Sequence, residues 1–278
     1  MTARIDAHVH LWDRALDPQD WIDPITMAAI DRDFGTAELA TMLSSTDMDS
    51  AIVVQASNSL EESLRLVRSD RRVVAGVVVW VDLQGNVTDQ LDRVGRTANV
   101  PIVGVRHLVH IDPYPEWLLR PEVGAGLAAL EEADLAFDLV VRDWQLRQAA
   151  AVAGRHPGLR FVLDHLGGPL ADDADPARWE DGLRTLAALP NTSAKLSGLT
   201  SGLAPGAWTA ADLRPVVTTA FDAFGAGRLL YGSDWPLAEL GGGAPAWRHA
   251  VDELLTDLSP GDRSAVLGGT AVSVYSLG

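Results

Sequence analysis

The sequence predicts an α/β fold of the (β/α)8 TIM-barrel type, and three observations carry that prediction. Eight short apolar runs rich in Val, Ile and Leu recur along the chain, stretches of helical periodicity separate most of them, and the length of 278 residues is normal for one such barrel. Continuous apolar strands alternating with helices imply a parallel sheet buried on both faces. An open, doubly wound sheet is the rival arrangement. It would carry a Gly-rich turn after its first strand, where this chain reads HVHLWD. No internal repeat, charge block or low-complexity linker marks a boundary, so residues 1–278 read as one domain.

The runs follow in order. RIDAHV leads into His8 and His10. The connection from Leu11 to Gly35 is long for a loop. It contains Trp12, Pro18, Trp21 and Pro24, and is expected to cover the barrel mouth. SAIVVQA is the second run. In the helical stretch SLEESLRLVRSD, Ser59 and Glu62 have the spacing of a capping box. VVAGVVVWV is the third run, and PIVGVRHL the fourth, closing on Arg106 and His107. AFDLVVR, the fifth, closes on Arg142 and precedes the helical QLRQAAAVAGRH. RFVLDH closes on His165 and precedes PARWEDGLRTLAAL. TSAKLS holds Lys195 and precedes ADLRPVVTTAFDAFG. RLLYGSD ends on Asp234.

Composition excludes several classes of function. The net charge of −16, from 38 acidic and 22 basic residues, argues against nucleic acid or an anionic membrane surface as partner. The absence of cysteine rules out disulfides and thiolate chemistry. No apolar run approaches the length of a membrane span. The opening residues run directly into Arg4 and Asp6 rather than into a signal peptide. A cytoplasmic protein acting on a small molecule is therefore expected, with homo-oligomerisation left open.

Function in a barrel sits at the C-terminal ends of the strands, and the polar residues collect there. Strand alternation puts His8 and His10 on one face with Asp6 below them, and turns Ile5, Ala7 and Val9 toward the helices. Two imidazoles on one face can bind one divalent ion, hydrogen-bond one substrate oxygen, or both. A carboxylate across the barrel can take a proton from water. Taken singly, each residue has an ordinary reading: a core histidine, an aspartate capping a turn, an ion pair at a loop base. Their convergence on one rim points to a site. Trp12 and Trp235 flank it, and an aromatic face suits the apolar side of a sugar ring, although tryptophan in a barrel loop often only packs.

IDAHVHLWD, FVLDHLGGP, AKLSGL and RLLYGSDWP, in that order, resemble the motifs of the amidohydrolase superfamily. Within it they are similar to amidohydrolase family 2, in the branch of sugar-lactone hydrolases and the pyrone-dicarboxylate lactonase. VGVRHLV, AFDLVVR and LGGTAVSVYSL resemble that branch as well, so the likeness covers nearly the whole chain. It implies a distorted amidohydrolase-type barrel with His8 and His10 after strand one, His165 after strand six and Asp234 after strand eight. Metal-dependent relatives usually carry a bridging ligand on strand four and a His at the end of strand five. This chain has Arg106 and His107 on the one and Arg142 on the other. A two-metal site is therefore not expected. At most one divalent ion, zinc foremost, would be held by His8, His10 and Asp234, and a metal-free enzyme is equally open.

The activity implied is hydrolysis of a small lactone, such as a sugar aldonolactone or a carboxylated relative. Asp234 would activate water as general base and then protonate the departing alkoxide. His8, His10 and His165 would stabilise the oxyanion. Arg106, His107, Arg142 and Lys195, with Trp12 and Trp235, would bind substrate. The alternatives are a metal-dependent decarboxylase of the same superfamily and a non-catalytic ligand-binding barrel.

Overall fold

The computed structural model describes residues 3–278. Each apolar run forms a strand: β1 (Ile5–Val9), β2 (Ser50–Val54), β3 (Val74–Val79), β4 (Ile102–His107), β5 (Ala136–Leu139), β6 (Arg160–Leu163), β7 (Thr192–Leu196) and β8 (Leu229–Tyr231). Their order in the sheet is their order in the chain, and each paired neighbour is parallel. The seam between β8 and β1 is closed at the C-terminal rim. Val9 bridges Trp235, the His10 N–H donates to the Trp235 carbonyl at 2.7 Å, and the Asp234 N–H donates to the His8 carbonyl at 2.9 Å. The expected barrel is therefore present, and its closing rungs lie beside His8, His10 and Asp234. Gly232 lets the two strands approach there, since a Cβ at that position would stand 2.7 Å from the His8 Cβ.

Helices α1 (Thr36–Ser45), α2 (Leu60–Leu66), α3 (Val87–Gly95), α4 (Pro121–Glu132), α5 (Leu146–Ala153), α6 (Pro176–Ala187), α7 (Ala210–Phe224) and α8 (Ala244–Leu254) cover the outside. The sequence signals explain several of their ends. Asp175 caps the first turn of α6 by accepting from Ala177 and Arg178 N–H, with Pro176 at the first helical position. Ser59 Oγ accepts from the Glu62 N–H at 3.2 Å, as its spacing predicts. The reciprocal half of that capping box is absent, because the Glu62 carboxylate instead turns toward the rim and accepts from Ala56 and Ser57 N–H at 3.0–3.1 Å.

Phe137, Leu139, Phe161, Leu163, Leu196 and Tyr231 belong to the buried layer between strands and helices. A second cluster, including Val54, Val78, Val162 and Leu230, meets Tyr275 at the floor. Tyr275 follows the terminal α9 (Pro260–Ser264) and α10 (Thr270–Val274), and its hydroxyl donates to the Asp138 carboxylate, 2.9–3.0 Å away. The connection from Leu11 to Gly35 contains neither helix nor named strand, and it is closed on itself by a backbone bridge between Trp12 and Phe34. No helix among the described residues is long and apolar enough to cross a membrane.

Candidate active site

The floor of the site is a buried ionic network built from strand residues that alternate inward. Lys195 on β7 is fully buried. Its Nζ donates to Asp138 Oδ2 at 2.5 Å, lies 3.0 Å from Asp164 Oδ1 and approaches His8 Nδ1 at 3.1 Å. Arg106 Nη1 donates to Asp164 Oδ2 at 2.9 Å, and its Nη2 donates to the Gln55 carbonyl. Burial raises the Asp138 carboxyl to about 6 against the pull of Lys195. At Asp164 burial acts in the same direction, but Lys195, His8 and Arg106 outweigh it and hold the carboxyl well below its ordinary value.

These contacts decide the histidine tautomers. His10 Nδ1 is 2.8 Å from the Val54 carbonyl, which can only accept, so Nδ1 carries the proton and Nε2 presents a lone pair. Lysine can only donate, so its approach to His8 Nδ1 at 3.1 Å favours the His8 proton on Nε2, facing His10 Nε2 at 3.1 Å, while the Arg106 guanidinium, also a donor only, stands 3.5 Å from that Nε2 and opposes it. Burial pushes both imidazoles below their ordinary range, His8 furthest.

Asp234 stands over this floor. Burial would raise its carboxyl, but His165, His10 and His8 together hold it well below the usual carboxylate range. Its Oδ2 accepts from Ser201 Oγ at 3.0 Å. Its Oδ1 is buried without a donor, 3.7, 3.6 and 4.0 Å from Nε2 of His8, His10 and His165. His165 is fixed from behind by a 2.9 Å hydrogen bond between Nδ1 and Ser197 Oγ. Both His165 (φ +53°) and Asp234 (φ +60°) adopt the left-handed region that side chains rarely enter, a strain the surrounding structure must sustain. Gly198 (φ +65°) makes room beneath them, for a Cβ there would lie 2.5 Å from His165 Nδ1 and 3.2 Å from Asp234 Oδ2.

The same residues fit a divalent cation. The ligand atoms of His8, His10 and Asp234 lie within 4.8 Å of one another. Asp234 Oδ1 lacks a donor, and His10 Nε2 has its lone pair turned inward. His8 can offer Nε2 once its proton moves to Nδ1, where Asp164 Oδ1 stands 3.3 Å away. Three buried carboxylates, Asp138, Asp164 and Asp234, stand here with two buried cations, Lys195 and Arg106.

A cavity of about 390 Å³ opens above the floor, and the loop after every strand except β3 contributes to it. Its polar end comprises His10, Arg106, Asp164, His165 and Asp234, with His110 and Arg142 to one side. The His110 ring is driven down to about 3 by burial and by Arg106 and Arg142. Apolar walls rise from Trp21, Ile111, Leu170, Leu199, Leu203 and Leu237.

The predicted residues therefore separate. His8, His10, Arg106, His165 and Asp234 come together, and Arg142 reaches the cavity from three residues beyond the end of β5, 3.7 Å from Asp173. His107, Lys195, Trp12 and Trp235 do not line the cavity. His107 neighbours the inward Arg106 on its strand and so points the other way, stacked on Trp117 at 3.8 Å and bonded to Asp112. Lys195 lies beneath His8. Trp12 is buried behind His10, with its indole N–H on the Arg32 carbonyl at 2.8 Å, and Trp235 is buried edge-on to Phe34. Direct substrate contact expected of these four is corrected accordingly. Sequence reasoning missed Asp138, Asp164, His110, Ser197 and Trp21. A lone acid in the apolar AFDL, and a lysine in TSAKLS that is the only one in the chain, are the signals that could have revealed the buried pair.

The amidohydrolase family model matches residues 5–277. The chain belongs to the amidohydrolase family. This amidohydrolase is 35% identical to an L-fucono-1,5-lactonase of Burkholderia ambifaria over 100% of this chain and 97% of the relative. It is 32% identical to an L-fucono-1,5-lactonase of Burkholderia multivorans over 99% and 96% of the two. The crystal structure of an amidohydrolase from Burkholderia multivorans with bound zinc superposes with a TM-score of 0.89 at 32% identity, covering 99% of this amidohydrolase and 100% of that chain.

Proposed function

We propose that the chain hydrolyses the 1,5-lactone of a six-carbon sugar acid, an L-fucono-1,5-lactone or a close stereochemical relative, with Asp234 as general base. The chain is a lactone-hydrolysing enzyme: relatives at 35% and 32% identity over full length are lactonases. The observation that carries the residue assignment is Asp234 Oδ1, an ionised, buried oxygen without a donor, among three imidazole Nε2 atoms at the cavity's polar end. The decarboxylase and the non-catalytic barrel are not favoured, since the relatives are lactonases and the rim groups converge. The reading takes residues 1–278 as one catalytic unit.

Water placed beside Asp234 gives up a proton to Oδ1 as its oxygen attacks the ring carbonyl. His165 and Arg106 donate toward the oxygen on which charge develops. As the ring C–O bond breaks, the proton on Asp234 passes to the departing alkoxide, leaving the open-chain hydroxy acid and regenerating the carboxylate. His110 and Arg142 face the substrate hydroxyls. Lys195 is a positioning residue that fixes His8 from below. His8, His10 and Asp234 would hold one divalent ion, zinc in this reading; when bound it supplies Lewis-acid polarisation of the carbonyl.

The test is proton release from a panel of five- and six-membered aldonolactones, run with and without chelator alongside elemental analysis. Wild-type protein should turn over the 1,5-lactone, with no more than one equivalent of metal. Asp234→Asn should remain folded and lose roughly 10²- to 10⁴-fold in turnover. Near-wild-type turnover in a folded Asp234→Asn protein would move the base elsewhere, with His165 the next candidate.

A further inference from the structure

Two tryptophans were expected to meet the substrate, Trp12 and Trp235, and both are buried behind the site. The chain has nine tryptophans. Among the described residues, the one whose side chain lines the cavity is Trp21, in the connection between β1 and α1. It remains partly exposed at the mouth.

Its position is set by a strut of side chains. The Trp21 indole N–H donates to Gln19 Oε1 at 2.8 Å. Gln19 Nε2 donates to Glu62 Oε1 at 3.2 Å. Glu62 is fully buried and is itself held by Ala56 and Ser57 N–H, so the strut is rooted in the rim after β2. Gln19 is buried as well and sits at φ +51°, in the left-handed region, while its carbonyl accepts from Arg14 at 2.9 Å. A strained, buried glutamine whose amide spends both ends on a carboxylate and an indole is otherwise hard to explain in a surface connection. On its other side, Trp21 meets Trp12 edge-to-face at 5.8 Å, and Trp12 stacks on His10 at 6.4 Å. The indole is thus tied by packing to a rim histidine and by hydrogen bonds to the next loop.

We infer that Trp21 is the aromatic platform for the apolar, C–H-bearing face of the lactone ring, and that Gln19 is a positioning residue which holds it there from Glu62. This rests on the lactonase reading above. A sugar lactone presents hydroxyls at its edge and C–H groups on its face. The cavity answers with polar groups at one end and the indole with Ile111 and Leu170 at the mouth. The Trp21 indole bonds to Gln19 and packs on Trp12 rather than on Asp234, His165 or Arg106, so its effect belongs in binding rather than in the chemical step.

The experiment combines kinetics with a binding readout. Trp21→Ala should raise KM about tenfold while kcat stays within about threefold, and Trp21→Phe should recover most of the loss. Gln19→Met should raise KM in the protein that contains Trp21 and add nothing to Trp21→Ala, as coupling through the indole requires. In the slow Asp234→Asn background, lactone binding should change tryptophan fluorescence, and Trp21→Phe should remove that change. An unaltered KM in Trp21→Ala would overturn the platform. An equal KM increase from Gln19→Met with and without Trp21 would overturn the strut. Wild-type protein without lactonase activity would instead refute the functional reading, while the fluorescence titration would still report whether a lactone meets Trp21.

Discussion

The floor and the walls of the cavity are built on opposite terms. The floor is charge held by strands: Lys195, Asp138, Asp164 and Arg106 are buried, carried on or just beyond β7, β5, β6 and β4, and linked by contacts of 2.5–3.0 Å. The walls are apolar side chains held by loops, with Ile111 and Leu170 exposed to solvent. The contrast assigns the tasks. Groups that must keep a tautomer and a charge stand on rigid strands, where removing one partner strands another. Groups that must only complement a ring face stand on loops, where shape can vary.

The largest effect that would sharpen this contrast comes from Lys195→Met. It leaves Asp138 and Asp164 facing each other without the ammonium between them, and should cost roughly 3–5 kcal/mol of stability. It should also suppress turnover by freeing His8 to change tautomer. Denaturant unfolding beside lactonase kinetics measures both, and a variant as stable as wild type would show that the floor is not a single ionic unit. Gly198→Ala follows. The new methyl group meets His165 and Asp234 at once, so turnover should fall by about 10²-fold through misplacement while circular dichroism stays unchanged. Activity near wild type would mean that the two side chains have freedom the static geometry conceals.

The smallest effect lies in the strut that joins the two regions. Burial raises the Glu62 carboxyl from 4.5 to about 7, with Ser57 and Ala56 N–H opposing. The folded state therefore favours the protonated acid. Its contribution to stability should decline as pH rises from the ordinary glutamate value through about 7. Glu62→Gln removes the titration, so the gap in melting temperature between variant and wild type should move in the variant's favour across that window. Parallel curves from pH 4.5 to 7.5 would show that the backbone donors hold Glu62 ionised throughout.

Strand periodicity made the floor's outline legible. Eight apolar runs implied the barrel, and the period of two put His8 and His10 on one face with Asp234 across the seam. The same rule disposes of His107: beside an inward Arg106 it must face outward, a conflict already visible in the sequence. What stayed hidden was pairing. Lys195 is placed within strand seven while Asp138 goes unremarked, and their meeting depends on strand tilt and register around a closed barrel. The walls were less legible still. Past the end of β1 alternation no longer applies, and Trp12 turns with its bridge to Phe34 rather than toward the mouth. Trp21 sits in a stretch without periodicity, and its place depends on a left-handed residue that nothing in the composition announces.

The sole lysine of the chain lies inside the barrel. All cationic side chains on the surface are therefore arginine or histidine, and the folded protein offers amine-directed reagents no side-chain target. Acylating or alkylating chemistry aimed at lysine can reach Lys195 only when the barrel opens. The rate of that single modification then becomes a clock for opening of the floor, readable by mass in one peptide. Coupling the enzyme to a support through a side-chain amine would likewise require a lysine to be introduced, and its position on the outer helices can be chosen freely without competition from a native one.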